Sequence, residues 1–255
     1  MRILGRAVRL LIFLAALVGV WQLVAMAEVW PSYALPSPGA VLGTLWDNTV
    51  NGRVPRALAI SLQRLGIGYS LSLGIGMVIG ILCGTVRQVD ETLGTIVLGL
   101  QSLPSVSWLP LAVLWFGLNE QAIVFVVLMG SLFSIAISAR SGVQNIAPPL
   151  KRAGQTYGAS RWQMYRYVIL PGMMPSIAQG LKLGWSFAWR SLMAGELLFA
   201  GLGLGQMLNM GRDLNDMSLV LATMLVVILV GIAMDRLIFG RIESWVQERW
   251  GRATR

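Results

Sequence analysis

Apolar residues fall in long, nearly uncharged runs, separated by short blocks of charge and proline. Runs of this length predict helices that cross a bilayer, which needs about 20 apolar residues. Six spans can be read. The first is "LLIFLAALVGVWQLVAMA", Leu10 to Ala27. It follows Arg2, Arg6 and Arg9 and ends in Ala25-Met26-Ala27, the outline of a signal peptide. Its apolar run is longer than a signal core needs, so it is read as an uncleaved span. The second runs from Leu65 to Val86. The third lies within Thr92 to Asn119, where Pro104 and Pro110 predict a kink or a split. The fourth runs from Gln121 to Ala139, the fifth lies within Gly172 to Leu198, and the sixth is Met217 to Met234. The pattern predicts an all-α integral membrane protein.

In the second span Gly68, Ser72, Gly76, Gly80 and Gly84 recur every four residues. That spacing makes one stripe of small side chains, where another helix can approach closely.

The side of each loop follows from its basic residues. With the N-terminus inside, fourteen basic residues lie inside: Arg2, Arg6, Arg9, Arg87, Arg140, Lys151, Arg152, Arg161, Arg166, Arg236, Arg241, Arg249, Arg252 and Arg255. Only four lie outside, Arg53, Arg56, Arg64 and Arg212. The positive-inside rule therefore predicts that both termini are cytoplasmic.

Composition narrows the chemistry. Of 255 residues 56% are hydrophobic and 12% charged, against about a quarter charged in soluble domains. The net charge of +9 sits in blocks between the apolar runs, which fits membrane topology rather than a nucleic-acid groove. There is no histidine and one cysteine, Cys83, so zinc, haem and iron–sulfur sites lack ligands and no intrachain disulfide can form. Cys83 reads as a packing residue. Serine–histidine catalysis is likewise unavailable. Neither lysine, Lys151 nor Lys182, stands in a G-x-x-x-x-G-K-[ST] phosphate loop. "GLGLG" at Gly201 to Gly205 is not G-x-G-x-x-G and reads as a backbone bend.

The loop "NIAPPLKRAGQTYGASRWQMYRYVILP" reads as two short helices. Pro148 and Pro149 suit a first helical turn. Leu150, Ala153, Gly154 and Tyr157 share a small, apolar face, and Gly158 stands where a glycine ends a helix. Ser160-Arg161-Trp162-Gln163 has the form of a capping box that opens the second helix, whose apolar stripe is Trp162, Tyr165 and Ile169. Pro171 marks that helix's end or the start of the fifth span. One reading is a helix pair lying on the inner leaflet, with its arginines at lipid head groups. A face of Ala and Gly instead suits close approach to another protein.

The same loop resembles the EAA motif of permease subunits of binding-protein-dependent ABC importers. Arg152-Ala153-Gly154, Gly158 and Val168-Ile169-Leu170-Pro171 match its spacing. "LPSP" from Leu35, "SLQRLGIGY" from Ser61, "LPSVSWLPLAVLWFGLNE" from Leu103, "VILPGMMPSIAQGLKLGWSFAW" from Val168 and "AGELL" from Ala194 extend the resemblance to the nitrate/sulfonate/taurine branch. It implies the type I ABC importer permease fold in one transmembrane domain, 1–255. Residues 1–59 would hold the first span and a periplasmic connection. Residues 60–240 would form the permease core with the coupling loop 144–171, and 241–255 a cytoplasmic tail. The resemblance also implies that Arg152, Ala153, Gly154, Tyr157, Gly158, Ala159 and Ser160 couple to an ATPase. Arg152 stands where relatives carry an acid, and Gly154 where they carry a second alanine. The partners implied are a second permease copy, two ATPase subunits that hold ATP and Mg, and a periplasmic or lipid-anchored binding protein. The setting would be a bacterial inner membrane, with no cofactor in this chain and no nucleic acid.

Three charges inside the fifth span, Lys182, Arg190 and Glu196, are translocation-pathway candidates. A central Arg costs about 2.5–3.5 kcal/mol on insertion scales, so it should face protein or water. Lys182 and Arg190 lie about 80° apart around the helix, and Glu196 about 120° from Arg190. Each can pair with another helix or reach an interface, or Arg190, with or without Lys182, can make the pathway favourable to an anion. The solute implied is a small anion such as an aliphatic sulfonate, taurine or nitrate, with bicarbonate and vitamin precursors as alternatives. A stand-alone secondary transporter or channel would need no coupling loop, and an intramembrane enzyme lacks histidine.

Overall fold

The computed structural model describes residues 2–199 and 201–250, and among them every regular element is helical. Residues 251–255 of the expected tail, with Arg252 and Arg255, lie outside the described residues. α1 (Arg2–Met26) falls on the first expected span, and α2 (Pro38–Val50) follows it. Ser37 caps α2 by accepting the Ala40 amide at 3.3 Å, while Pro38 takes a first-turn position where no amide is needed.

α3 (Arg53–Thr85) runs for 33 residues and starts well before the expected Leu65. Val54, Ala57, Ser61 and Leu65 recur at helical spacing and are all buried, which carries the helix through its arginines. Arg53, Arg56 and Arg64 are therefore helix residues rather than loop charges. Arg64, at 4% exposure, leaves the outer-loop count altogether.

The third expected span is broken. α4 (Arg87–Val89) passes through a π-helical turn (Asp90–Gly94) into α5 (Thr95–Gln101). A 3-10 turn (Ser105–Trp108) then opens α6 (Leu109–Phe116). The two arms, Arg87–Gln101 and Ser105–Phe116, meet at 103°. Pro104 makes the break, because it is extended, with ψ 138°, and has no amide to continue the helix. Pro110 sits in the first turn of α6 and interrupts nothing.

α7 (Glu120–Gln144) is capped by Asn119, whose Oδ1 accepts the Gln121 amide at 2.9 Å. Then come α8 (Pro148–Thr156), α9 (Arg161–Met164) and a π-helical turn (Tyr165–Ile169) that leads into α10 (Leu170–Leu198). α11 (Leu204–Asp213) and α12 (Met217–Met234) follow, and a π-helical turn (Asp235–Phe239) joins α12 to α13 (Gly240–Trp250). By length and composition α3, α7 and the run Met217–Arg249 can each cross a membrane, and the bent pair, taken as one span, would make a fourth. The apolar part of α1, Leu11–Met26, is shorter. α10 replaces bulky apolar residues with small ones and three charges.

Contacts divide the chain into two units, Met1–Ile60 with Leu202–Ile228, and Ser61–Gly201 with Leu229–Arg255. In the first, the Trp21 indole donates to the Pro36 carbonyl at 3.1 Å and holds α1 to the start of α2. Asp216 caps α12 by accepting the Leu219 amide at 3.0 Å.

In the second unit α7 packs against both α3 and α10, each through small residues. A Cβ at Gly68 would lie 2.7 Å from Val127, one at Gly76 2.9 Å from the Leu132 carbonyl, and one at Gly84 2.6 Å from Val143. At Gly80 it would collide with the Ala136 carbonyl. Ser72 is fully buried in the same row and donates to the Leu128 carbonyl at 2.9 Å. On the α10 side, Gly142 of α7 admits Met173 and Ser176, while Gly180 and Gly184 of α10 admit Ser138 and Ile135. Hydrophobic transfer does not drive helices together inside a bilayer, so this close backbone approach is what holds the unit.

Candidate functional site

The loop between α7 and α10 is built by its caps. Lys151 donates to the Val143 carbonyl at 3.1 Å, satisfying the end of α7. α8 closes in a Schellman motif: the Ala159 amide bonds the Gly154 carbonyl and the Gly158 amide the Gln155 carbonyl, both at 3.0 Å. Gly158 supplies the required positive φ of 70°. Ser160 and Gln163 form both halves of the capping box, at 3.3 and 2.8 Å. Pro171 does not end the second helix. The π-helical turn before it shifts the bonding register, so α9 runs on into α10 with Pro171 in the first turn.

The small face of α8 divides in two. Gly154 turns inward, where a Cβ would lie 2.8 Å from Met164 Cε and 3.3 Å from Val168 Cγ2. Its small size serves this chain's own packing. Leu150, Ala153 and Tyr157 stay exposed, Tyr157 at 89%. Arg152 and Ser160 are exposed too, and Ala159 is half-buried.

The three charges of α10 have different surroundings. Glu196 is fully buried, and both its oxygens lie 2.8 Å from the Ser61 hydroxyl. Arg64 Nη1 donates to Glu196 Oε1 at 3.0 Å, while its Nη2 reaches Glu120 Oε1 at 2.9 Å. Ser61, Arg64 and Glu120 were not among the sequence candidates. The available signal was Ser61 and Arg64 one turn apart inside the buried ladder of α3. Lys182 Nζ lies 3.3 Å from Asp235 and 3.7 Å from Glu243, all partly exposed. A second unforeseen pair joins Arg140 Nη2 to Asp90 Oδ2 at 2.9 Å, tying α7 to the π-helical turn of the third span.

Arg190 differs. It is exposed, its Nε donates to the Ser186 carbonyl at 3.2 Å, and its guanidinium carbon stands 5.1 Å from the centre of the Phe187 ring. Among the described residues no carboxylate pairs with it. Arg190 lines a cavity of about 300 Å³ at the break of the third span, together with Gln101, Ser105, Trp108, Ser134 and Phe187.

The family described as binding-protein-dependent transport system inner membrane component matches residues 76–240. The taurine transport system permease protein TauC of Escherichia coli is 32% identical over 240 residues, covering 91% of this chain and 87% of that protein. The nitrate import permease protein NrtB of a Synechocystis species is 26% identical over 242 residues, covering 91% and 87%. In solved structures, the inward-facing MetNI methionine ABC transporter shares the fold at a TM-score of 0.66 and 19% identity, over 78% of this chain and 98% of that one. The chain belongs to the binding-protein-dependent transport system inner membrane component family, as an ABC importer permease of the nitrate, sulfonate and taurine branch.

Proposed function

We propose that this permease imports a small anion, an aliphatic sulfonate, taurine or a nitrate-like solute, across a bacterial inner membrane. Two copies of the chain would form the pathway, two ATPase subunits would hold ATP and Mg on the cytoplasmic side, and an extracytoplasmic binding protein would deliver the solute. Both termini would be cytoplasmic, which places the α8 loop beside the ATPase. Hydrolysis would belong to the partner, and this chain's part would be to bind, gate and couple.

One observation carries the coupling assignment. Leu150, Ala153 and Tyr157 form an exposed apolar strip on α8, a helix tied to the end of α7 by the Lys151 bond and closed at its own end by the Schellman motif. α8 is connected to α10 through the capping box and the π-helical turn, so a push on the strip would reach α10 through backbone rather than through a slack linker. Arg152, Ala153, Tyr157, Gly158, Ala159 and Ser160 are the residues assigned to this contact. Gly154 supports it from within by seating α8 on Met164 and Val168. The anion assignment draws on Arg190, which has no acid partner among the described residues, and on the relatives' taurine and nitrate systems.

The experiment is co-purification of the chain with its ATPase, followed by transport in liposomes. Tyr157→Ala and Ala153→Arg should weaken ATPase capture and solute-stimulated hydrolysis while the chain still folds. Solute uptake by the chain without any ATPase would instead favour a stand-alone transporter. A panel including bicarbonate and vitamin precursors identifies the solute.

A further inference from the structure

We infer that the cavity at the break of the third span is an oxyanion-binding site, formed by the Arg190 guanidinium, the Gln101 amide and the hydroxyls of Ser105 and Ser134. The inference rests on the anion reading above and assigns it a place. Four observations lead there.

The first is backbone. At membrane depth an irregular segment persists only where it is buried in protein or lines a cavity, and broken spans mark solute sites in other transporters. Here the arms meet at 103° and a cavity lies against the break, lined by Gln101 from one arm and Ser105 from the other.

The second is the donor set. Apart from the Nε bond to Ser186, Arg190 donates to no protein group among the described residues, and neither do the side chains of Gln101, Ser105 and Ser134. A guanidinium, an amide and two hydroxyls around one space suit the several oxygens of a sulfonate or nitrate. The planar guanidinium fork can bond two of those oxygens at once.

The third is charge. Arg190 is the one charged residue lining the cavity, so the site attracts anions and repels cations. The other cations nearby in sequence and fold, Lys182, Arg64 and Arg140, all have carboxylate partners. The fourth is size and wall. About 300 Å³ is the lower end for small-molecule sites and suits a compact solute, while Trp108 and Phe187 offer apolar surface to a short alkyl group.

The test uses the assembled transporter in liposomes, with labelled ethanesulfonate, taurine and nitrate as probes. Gel filtration checks the assembly of each variant. Arg190→Gln should lower uptake of the transported anion by about tenfold or more, the value of one charge-assisted contact. Arg190→Lys should retain an intermediate rate, because it keeps the charge and loses the fork. Ser134→Ala should raise the half-saturating anion concentration by about threefold to tenfold. If the wild type imports an anion and Arg190→Gln stays within about twofold of it, the site is wrong while the importer reading stands. If the wild type imports none of the anions, both the anion reading and this site fall. Should Arg190→Gln fail to assemble, Ser134→Ala decides, and an unchanged half-saturating concentration overturns the site.

Discussion

Arg64 and Glu196, 132 residues apart in the chain, form an ion pair at 3.0 Å with the Glu196 side chain fully enclosed. Removing one partner leaves the other buried and uncompensated, at a cost of about 3–5 kcal/mol. Arg64→Met should therefore unfold at a clearly lower temperature than the wild type in detergent. Arg64→Met combined with Glu196→Leu should regain much of the loss, because both charges are then gone. A single variant as stable as the wild type would show that the pair does not hold α3 to α10.

Two glycines of α3, six residues apart, should respond oppositely. A Cβ at Gly80 collides with the Ala136 carbonyl and lies 2.6 Å from Ala139 Cβ, whereas Gly74 has open space. Gly80→Ala should destabilise by about 1–3 kcal/mol through overpacking. Gly74→Ala should be neutral or stabilise by up to about 1 kcal/mol through helix propensity. Thermal unfolding of the two variants side by side separates packing from propensity, and equal shifts would refute the close α3–α7 contact.

The turn after α8 depends on one backbone conformation. Gly158 has φ 70°, which costs a side chain with a Cβ about 1–2 kcal/mol. Gly158→Ala should loosen the α8–α9 connection, and Gly158→Asn should do so less. Limited trypsin cleavage at Lys151, Arg152 and Arg161 reads this directly. Cleavage should quicken in the order wild type, Asn, Ala. An unchanged rate would mean that the Schellman closure does not limit opening of the loop.

Arg152 is exposed at the position that the EAA-motif resemblance assigns to an acid. If its charge meets the ATPase, Arg152→Glu should lower solute-stimulated hydrolysis by about tenfold at low salt and by less at high salt. Unchanged stimulated hydrolysis would assign the contact to the apolar strip alone.

The sequence revealed what depends on near neighbours. Met217–Met234 was legible because nothing interrupts its apolar run, and the Ser160–Gln163 capping box because both halves lie within four residues. The break at Pro104 followed from a missing amide. What stayed hidden depends on distant partners. Arg64 looked like a loop charge because Glu196, which stabilises it inside the helix unit, is 132 residues away. The packing of Gly154 against Met164 was hidden because Met164 comes after a reversal of the chain. Arg140 and Asp90 gave no signal, because one lies at the end of α7 and the other in a π-helical turn before α5. Of the pathway candidates, sequence singled out three charges alike. The partners that separate Arg190 from Lys182 and Glu196 lie on other helices.

The most direct measurement is uptake by liposomes that contain this chain with its ATPase and binding protein. The account predicts that ethanesulfonate, taurine or nitrate accumulates only when ATP is inside the ATPase-facing compartment and all three components are present. Accumulation without ATPase or ATP, or transport confined to neutral and cationic solutes, would contradict it.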